Sequence, residues 1–476
     1  MTDIETLSPD TALHSAVGKA DTAHHLHSQT NLQTHRSRGP LVMVRGEGAY
    51  VFDEHGQRYL EGMAGLWCAS LGFSESRLVD AALRQMRRLP YYHTFNHRST
   101  DVASLLAAKV AALAPMRDAR VFFATSGSEA NDSMVKLAWN FHIARGEPAR
   151  RKILARQRGF HGSTVMGASL SGLPNMHAAF GLPIPGIVRL ECPSAYRHAL
   201  PGESDAAFVD RLVADLEHTI EREGAGTIAA FIAEPIIGAG GVLVPPEGYF
   251  PRVQAVLRRH GILMLSDEII CGFGRTGEWF GAQSFGFEPD MMACAKGLSA
   301  GYAPISCVVV APRVYEVIEA ESGRTGGFGH GFTYSGHPLG AAVALEALSI
   351  YEQMDLPAHA RRLGERLHAS LAPLAAHPLV GEIRGKGFIA GIELVRNRDT
   401  REAFDPAQGV GAQVEQATRE RGLIVRNMGD VIALSPPYVL DEAQVEWMAR
   451  TLGAALDAVA ARDPWKTPAA ARKEAA

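Results

Sequence analysis

The sequence predicts an α/β fold built on a mostly parallel sheet covered by helices on both faces. Short apolar runs at 119–124, 152–156, 228–234, 262–267, 291–295 and 305–310 alternate with helical periodicity near 101–113, 128–145, 205–222 and 249–260. Such brief apolar runs read as strands buried on both sides, and the intervening helices supply the crossovers that parallel strands need. At 476 residues the chain is long enough for two or more substructures with large cores.

Taken in order, the first 35 residues are polar and rich in histidine, which predicts an arm that either grips a partner subunit or stays disordered. His14, His24, His25, His27 and His35 offer no convincing ligand set with cysteines or paired carboxylates, so no metal is expected. Residues 36–69, with strand-like segments around 41–60, are assigned to a smaller α+β domain. Residues 70–340 carry the alternating pattern and form the large domain. Beyond about 340 the pattern becomes one long helix, strands near 381–395 and 422–435, and a closing helix at 441–461, so 341–476 completes the smaller domain. The Ala-, Lys- and Arg-rich tail after Pro464 is expected to fray.

Composition narrows the function. A net charge of -4 with no basic cluster argues against a nucleic-acid partner. No run of ~20 apolar residues exists to span a bilayer. Met1-Thr2-Asp3-Ile4-Glu5 lacks the basic start and apolar stretch of an export signal. Cys68, Cys192, Cys271, Cys294 and Cys307 show no CxxC spacing, so they read as reduced thiols in a cytoplasmic protein.

Two strand ends carry the chemistry. Met291-Met292-Ala293-Cys294-Ala295 leads into Lys296, and Ile262-Leu263-Met264-Leu265-Ser266 leads into Asp267. Desolvation at the end of an apolar run lowers a lysine's pKa and leaves a nucleophilic amine, the group a Schiff base with a carbonyl cofactor requires. A buried aspartate is what sits against a pyridinium nitrogen. The third element is a phosphate site. Val121-Phe122-Phe123 runs into Ala124-Thr125-Ser126-Gly127-Ser128-Glu129-Ala130-Asn131 and then helical pattern, so free N–H groups face an anion at the helix start. Ser126 and Glu129 also read as an S-x-x-E capping box, and the two roles are compatible. A competing signature, Gly272-Phe273-Gly274-Arg275-Thr276-Gly277, has the dinucleotide spacing. The preceding Asp267-Glu268 would repel a pyrophosphate and no apolar-periodic helix follows, so it reads as a tight, basic loop and a nicotinamide dehydrogenase is disfavoured.

Over about Leu41 to Leu456 these motifs resemble the class III, or omega, aminotransferases, which are fold type I pyridoxal phosphate enzymes. Thr125-Ser126-Gly127-Ser128-Glu129-Ala130 resembles the family's phosphate cup, Arg158-Gly159-Phe160-His161-Gly162 its ring-stacking turn, and Ala295-Lys296-Gly297 the segment of its Schiff-base lysine. Glu234-Pro235 precedes a bracing loop, and Phe332-Thr333-Tyr334-Ser335-Gly336-His337-Pro338 resembles the segment that hands a threonine to the other subunit's phosphate. The resemblance implies pyridoxal 5'-phosphate as cofactor and a homodimer in which Thr333 and the 325–332 loop complete the partner's site. It implies Lys296 and Asp267 as catalytic residues, and Ser126, Gly127, Ser128, Phe160, His161, Glu234, Ile269 and Thr333 as further cofactor contacts. Phe160 replaces a tyrosine frequent in relatives and keeps the stacking surface. His161 is expected to be a turn residue held by its neighbours.

The subgroup rests on one absence and two matches. Relatives that use 2-oxoglutarate carry an arginine directly after the aromatic-His-Gly turn, where this chain has Ser163. The turn instead resembles the branch that moves an amino group from a primary amine or omega-amino acid to pyruvate. Trp67 and Phe95 resemble that branch's pocket walls, together with Phe160, and Arg426 its movable arginine for a substrate carboxylate. A 2-oxoglutarate-dependent class III enzyme or a related aminomutase is the alternative.

Overall fold

The computed structural model describes residues 15–462. In chain order its first strands are β1 (Met43–Glu47), β2 (Tyr50–Asp53), β3 (Arg58–Glu61), β4 (Arg120–Ala124), β5 (Lys152–Arg156), β6 (Ile187–Leu190), β7 (Ile228–Ala233), β8 (Leu263–Asp267), β9 (Met291–Cys294) and β10 (Ser306–Val310). Seven of them form the central sheet in the order β4-β10-β9-β8-β7-β5-β6. Strands β6, β5, β7, β8 and β9 are parallel, whereas β10 runs antiparallel to β9 and β4. Only residues 295–305 join β9 to β10, too few for a helical crossover, so the chain returns in the opposite direction. The sheet is mostly parallel as expected, with β6 the strand that the apolar pattern did not reveal.

Both faces are covered. Ile153, Ala155, Ala230, Ile232, Leu263 and Leu265 pack with Met134, Leu137, Ala138 and Phe141 of the helix Gly127–Ala144. Their sequence neighbours Leu154, Phe231, Ala233 and Met264 pack against Phe208, Leu212 and Leu216 of Asp205–Glu223 and Val253 and Leu257 of Tyr249–Arg259. Period-two alternation between two cores explains why these strands read as unbroken apolar runs. The helices begin where capping side chains stand: Thr100 before Asp101–Leu113, Ser126 before Gly127–Ala144 and Ser204 before Asp205–Glu223.

Strands β11 (Val380–Gly385), β12 (Ala390–Leu394), β13 (Leu423–Ile424), β14 (Arg426–Asn427) and β15 (Val431–Leu434) complete two smaller sheets, β1-β2-β3-β13 and β11-β12-β15-β14. Leu60 pairs with Leu423 and Glu61 with Ile424, so the early strands close on the late ones. The long helix expected after 340 is two helices, Pro338–Gln353 and Leu356–Leu371, because Asp355 turns left-handed at φ 47°. No helix among the described residues is long and apolar enough to cross a membrane. All five cysteines are free.

The N-terminal segment folds as two short helices, Ala16–His24 and Leu32–Arg38. Its histidines are not scattered as the sequence suggested. His25, His27 and His35 gather on Asp21. The signal was the spacing of Asp21 and His25, which puts both on one helix face. His24 is exposed, and His14 and the tail after Pro464 lie outside the described residues.

The tight, basic loop expected at 272–277 is a junction with its arginine buried. Arg275 is buried and donates from Nη1 to the carbonyls of Phe388 (3.2 Å) and Pro436 (2.7 Å), with its guanidinium 4.6 Å from the Tyr438 ring. Tyr438 donates in turn to the Phe273 carbonyl at 2.9 Å. Gly387 packs so closely on this loop, at φ 61°, that a Cβ would lie 2.4 Å from the Thr276 carbonyl carbon. Gly387→Ala should therefore destabilise by on the order of 2 kcal/mol or more. Gly226→Ala, which meets nothing within 4 Å, should be close to neutral. Equal melting temperatures for the two variants would contradict the junction.

Glu268 holds the far end of the same loop by accepting from the backbone N–H of Gly281 (2.8 Å) and Ala282 (2.7 Å). Burial pushes its carboxyl up to about 7. A folded pKa above the unfolded value means the stabilisation is fully present below about pH 4.5 and lost as pH rises through about 7. Glu268→Gln has no such proton to lose. Its melting temperature should gain on the wild type between those limits, and parallel curves for the two proteins would refute the account.

Candidate functional site

Register brings the chemistry to one edge of the large sheet. Ala233 pairs with Ser266, and Asp267 pairs with Ala293. Glu234 just after β7, Asp267 at the end of β8 and Lys296 just after β9 thus lie side by side at the carboxyl ends of neighbouring strands. This is where open α/β sheets gather ligands.

Asp267 is 3% exposed, and two side chains hold it. Asn131 Nδ2 donates to its Oδ2 at 2.7 Å, and His161 Nδ1 donates to the same oxygen at 2.8 Å. Oδ1 accepts from the Ile269 N–H at 3.2 Å. Asn131 also donates to the His161 backbone carbonyl at 2.8 Å, so that the three residues form a closed hydrogen-bonded ring. Asn131 escaped the sequence reading as a functional residue. Its signal was position, since it stands four residues after Gly127 and therefore on the same helix face, one turn inside. His161 does more than keep its turn, because its ring binds the buried carboxylate directly.

Glu234 braces this group. Oε1 accepts from the Phe160 N–H and Oε2 from the Gly238 N–H, both at 2.9 Å. Burial raises its carboxyl, His161 opposes that shift, and the negative Asp267 adds to it. Arg158 donates to the Gly240 carbonyl at 2.9 and 2.7 Å, fastening the turn that presents Phe160 and His161.

The turn before the helix Gly127–Ala144 forms the capping box foreseen for it. Ser126 Oγ accepts from the Glu129 N–H at 3.2 Å, while Glu129 Oε2 accepts from Thr125 and Ser126. Ser128 Oγ accepts from the Ser163 N–H at 3.0 Å, tying this turn to the Phe160-His161 turn. The N–H groups of Gly127 and Ser128 belong to the first helical turn and have no intrahelical acceptor, so they suit an anion. Ile269 packs here, with Cδ1 2.6 Å from where a Gly127 Cβ would stand. Only glycine leaves that approach open.

Lys296 turns left-handed, at φ 46°. Burial lowers the pKa of its ammonium group, Cys68, Asp267 and Glu234 oppose that shift, and Arg426 adds to it. Its Nζ lies 5.5 Å from the centre of the Trp67 ring, and the Arg426 guanidinium carbon lies 4.6 Å from the same centre. Trp67 is itself left-handed at φ 60°, a strained setting for a bulky residue. The β3–β13 pairing brings these two distant segments together.

Phe95 and Thr333 stand apart from that group. Both are exposed, and Tyr91 donates to the Thr333 carbonyl at 2.9 Å. The two lie on one surface, since a Cβ on Gly331 would stand 3.0 Å from the Phe95 ring. Neither forms a hydrogen bond or ring contact with Lys296 or Asp267 among the described residues.

The residues present fit pyridoxal phosphate, with free helix-start amides for an anion, a buried carboxylate for a ring nitrogen and a desolvated lysine for an aldehyde. Comparison with known proteins agrees. The family model for class-III aminotransferases matches residues 33–456. Gamma-aminobutyrate transaminase 1, mitochondrial, of Oryza sativa subsp. japonica is 45% identical over 424 residues, covering 89% of this chain and 82% of the relative. A crystal structure of the omega transaminase from Pseudomonas jessenii in complex with PMP superposes with a TM-score of 0.93 at 46% identity, over 94% of this chain and 99% of that one. The PMP-bound aminotransferase from Vibrio fluvialis gives a TM-score of 0.92 at 41% identity, over 94% and 99%. The sheet with its one reversed strand, the lysine and carboxylate at adjacent strand ends, and this likeness along most of the chain together make the protein a pyridoxal phosphate-dependent class III aminotransferase of fold type I.

Proposed function

We propose that the enzyme moves an amino group from a primary amine or omega-amino acid to pyruvate, binding both substrates in turn at one site. The observation that carries this reading is Arg426, whose guanidinium rests on the Trp67 ring with no side-chain hydrogen bond or ion pair among the described residues. Burial lowers its pKa, with Glu415 the charge that opposes the shift. A half-buried guanidinium without a fixed partner is suited to accept a keto acid's carboxylate and to release it again. Ser163, exposed where an arginine would hold a second carboxylate, favours pyruvate over 2-oxoglutarate. The curated relatives named for gamma-aminobutyrate, an omega-amino acid, support the donor class.

Bound pyridoxal phosphate supplies the electron sink that makes the substrate's C–H bond acidic. The chain supplies the remainder. Lys296 would hold the cofactor and, once freed by the incoming amine, carry the proton between the substrate carbon and the cofactor. Asp267, fixed by Asn131 and His161, would keep the ring nitrogen protonated. The amides of Gly127 and Ser128, with the Ser126 and Ser128 hydroxyls, would seat the phosphate, and Phe160 and Ile269 would flank the ring. Trp67 would wall the substrate pocket.

We further infer a homodimer in which Thr333 and the 325–332 loop complete the partner's site, with Phe95 on the same face. Tyr91, Tyr92, Phe95, Phe328 and Tyr334 are 38 to 57% exposed, and Tyr91 meets Tyr334 edge-on at 5.7 Å. An exposed aromatic surface of this kind is what a partner subunit covers.

Lys296→Ala should bind cofactor while turnover falls by about 10³-fold or more, and a near-normal rate would overturn the assignment. In acceptor profiling, pyruvate should outperform 2-oxoglutarate. Arg426→Ala should lower kcat/KM for pyruvate by roughly 10- to 100-fold, the worth of a charge-assisted pair. The same variant should leave an uncharged amine within about threefold. Equal losses on both substrates would remove the basis for this reading.

A further inference from the structure

The folded N-terminal arm contains a constellation that aminotransferase chemistry does not use. Asp21 and His25 stand one turn apart on the helix Ala16–His24 and its C-cap, His27 follows in the connecting turn, and His35 comes from the helix Leu32–Arg38. His27 Nε2 lies 2.9 Å from both carboxylate oxygens of Asp21. His35 Nε2 lies 2.9 Å from Oδ1 and His25 Nδ1 lies 3.3 Å from Oδ2. The ligand-capable atoms of Asp21, His25 and His27 all fall within 4.8 Å of one another. The rings crowd together, with centroids 4.3 Å apart for His25 and His27 and 4.0 Å for His27 and His35.

A carboxylate can accept about four hydrogen bonds, so three neutral imidazole N–H groups satisfy Asp21, and the same contacts gather three ring nitrogens about one carboxylate. Charging all three rings would set three cations against a single negative group at these separations. A divalent ion avoids that conflict, because the neutral imidazoles of His25 and His27 then offer lone pairs to one centre. Metal–ligand bonds of about 2.0–2.2 Å in a tetrahedron set neighbouring ligand atoms about 3.3–3.6 Å apart. The distances to Asp21 are at or a few tenths below that range, so small side-chain rotations open the cluster around an ion.

We propose that Asp21, His25 and His27 form a site for one zinc-class divalent ion, with His35 holding Asp21 from the second arm helix, so that the ion fastens the two arm helices together. Helices of nine and seven residues are too short to persist alone. Metal binding couples directly to folding in such segments. The arm is tied to the strand region at its start, where Ser15 Oγ donates to Glu54 Oε1 at 3.1 Å, and an ion at Asp21 would restrain it farther along.

The test uses the holoenzyme stripped of metal by chelator dialysis and titrated with zinc chloride alone against a chromogenic competitor, alongside tryptic cleavage after Lys19, Arg36 and Arg38. The wild type should take up one zinc at a site that His27→Ala and His35→Ala each weaken by about tenfold or more. His24→Ala, exposed and outside the cluster, should match the wild type. Zinc should slow cleavage of the arm in the wild type and in His24→Ala only. No uptake by the wild type, or equal uptake by all four proteins, would overturn the proposal. The inference stands apart from the aminotransferase reading, which the cofactor absorbance and rate of each variant report separately.

Discussion

The carboxylate of Asp267 is the point on which the site depends. A carboxylate this deep in an apolar sheet is tolerable only when hydrogen bonds replace its lost water. Its two side-chain donors come from different elements. Asn131 comes from the helix behind the phosphate turn, and His161 from the turn after β5. Satisfying one buried oxygen thereby fixes the helix start, the aromatic turn and the strand end relative to one another. Glu234 repeats the device one strand over by fastening the Phe160 turn to the Gly238 loop. Asp267 and the Phe160 turn are thus positioned by hydrogen bonds from several elements at once.

Strain is concentrated around the same place. Ala64, Gly65, Trp67 and Lys296 all adopt left-handed backbone. For Trp67 and Lys296 the conformation is unfavourable, and the surrounding core has to hold it. Trp67 belongs to a buried cluster with Met63, Ile236, Ile270 and Ala433, drawn from both the large sheet and the smaller ones. The Arg275 latch performs the same service from below. Trp67 is therefore only as well placed as the junction between sheets.

Much of this was legible before folding. Strands β4, β5 and β7 to β10 appeared as apolar runs because both their faces are covered, and the Ser126 cap announced its helix. Strand β6 was hidden, since a short half-buried edge segment has neither a long apolar run nor clean alternation. The break at Asp355 was hidden too, because helical periodicity continues on both sides of one left-handed residue. The loop 272–277 read as a tight, basic loop, yet a guanidinium can be buried where two carbonyls converge, and those carbonyls belong to residues more than a hundred positions later.

What the sequence alone determined is therefore local. Apolar period, capping residues and turn glycines act within a few positions, and they define the elements and the types of reactive group at their ends. Tertiary structure decided which of those groups meet. Trp67 faces Arg426 because Leu60 pairs with Leu423, and Asp267 lies beside Lys296 because β8 and β9 are neighbours in register. The histidines of the arm converge on Asp21 because a second short helix returns His35 to the first. Each meeting depends on a free-energy minimum over the whole chain, and no window of a few residues contains that information.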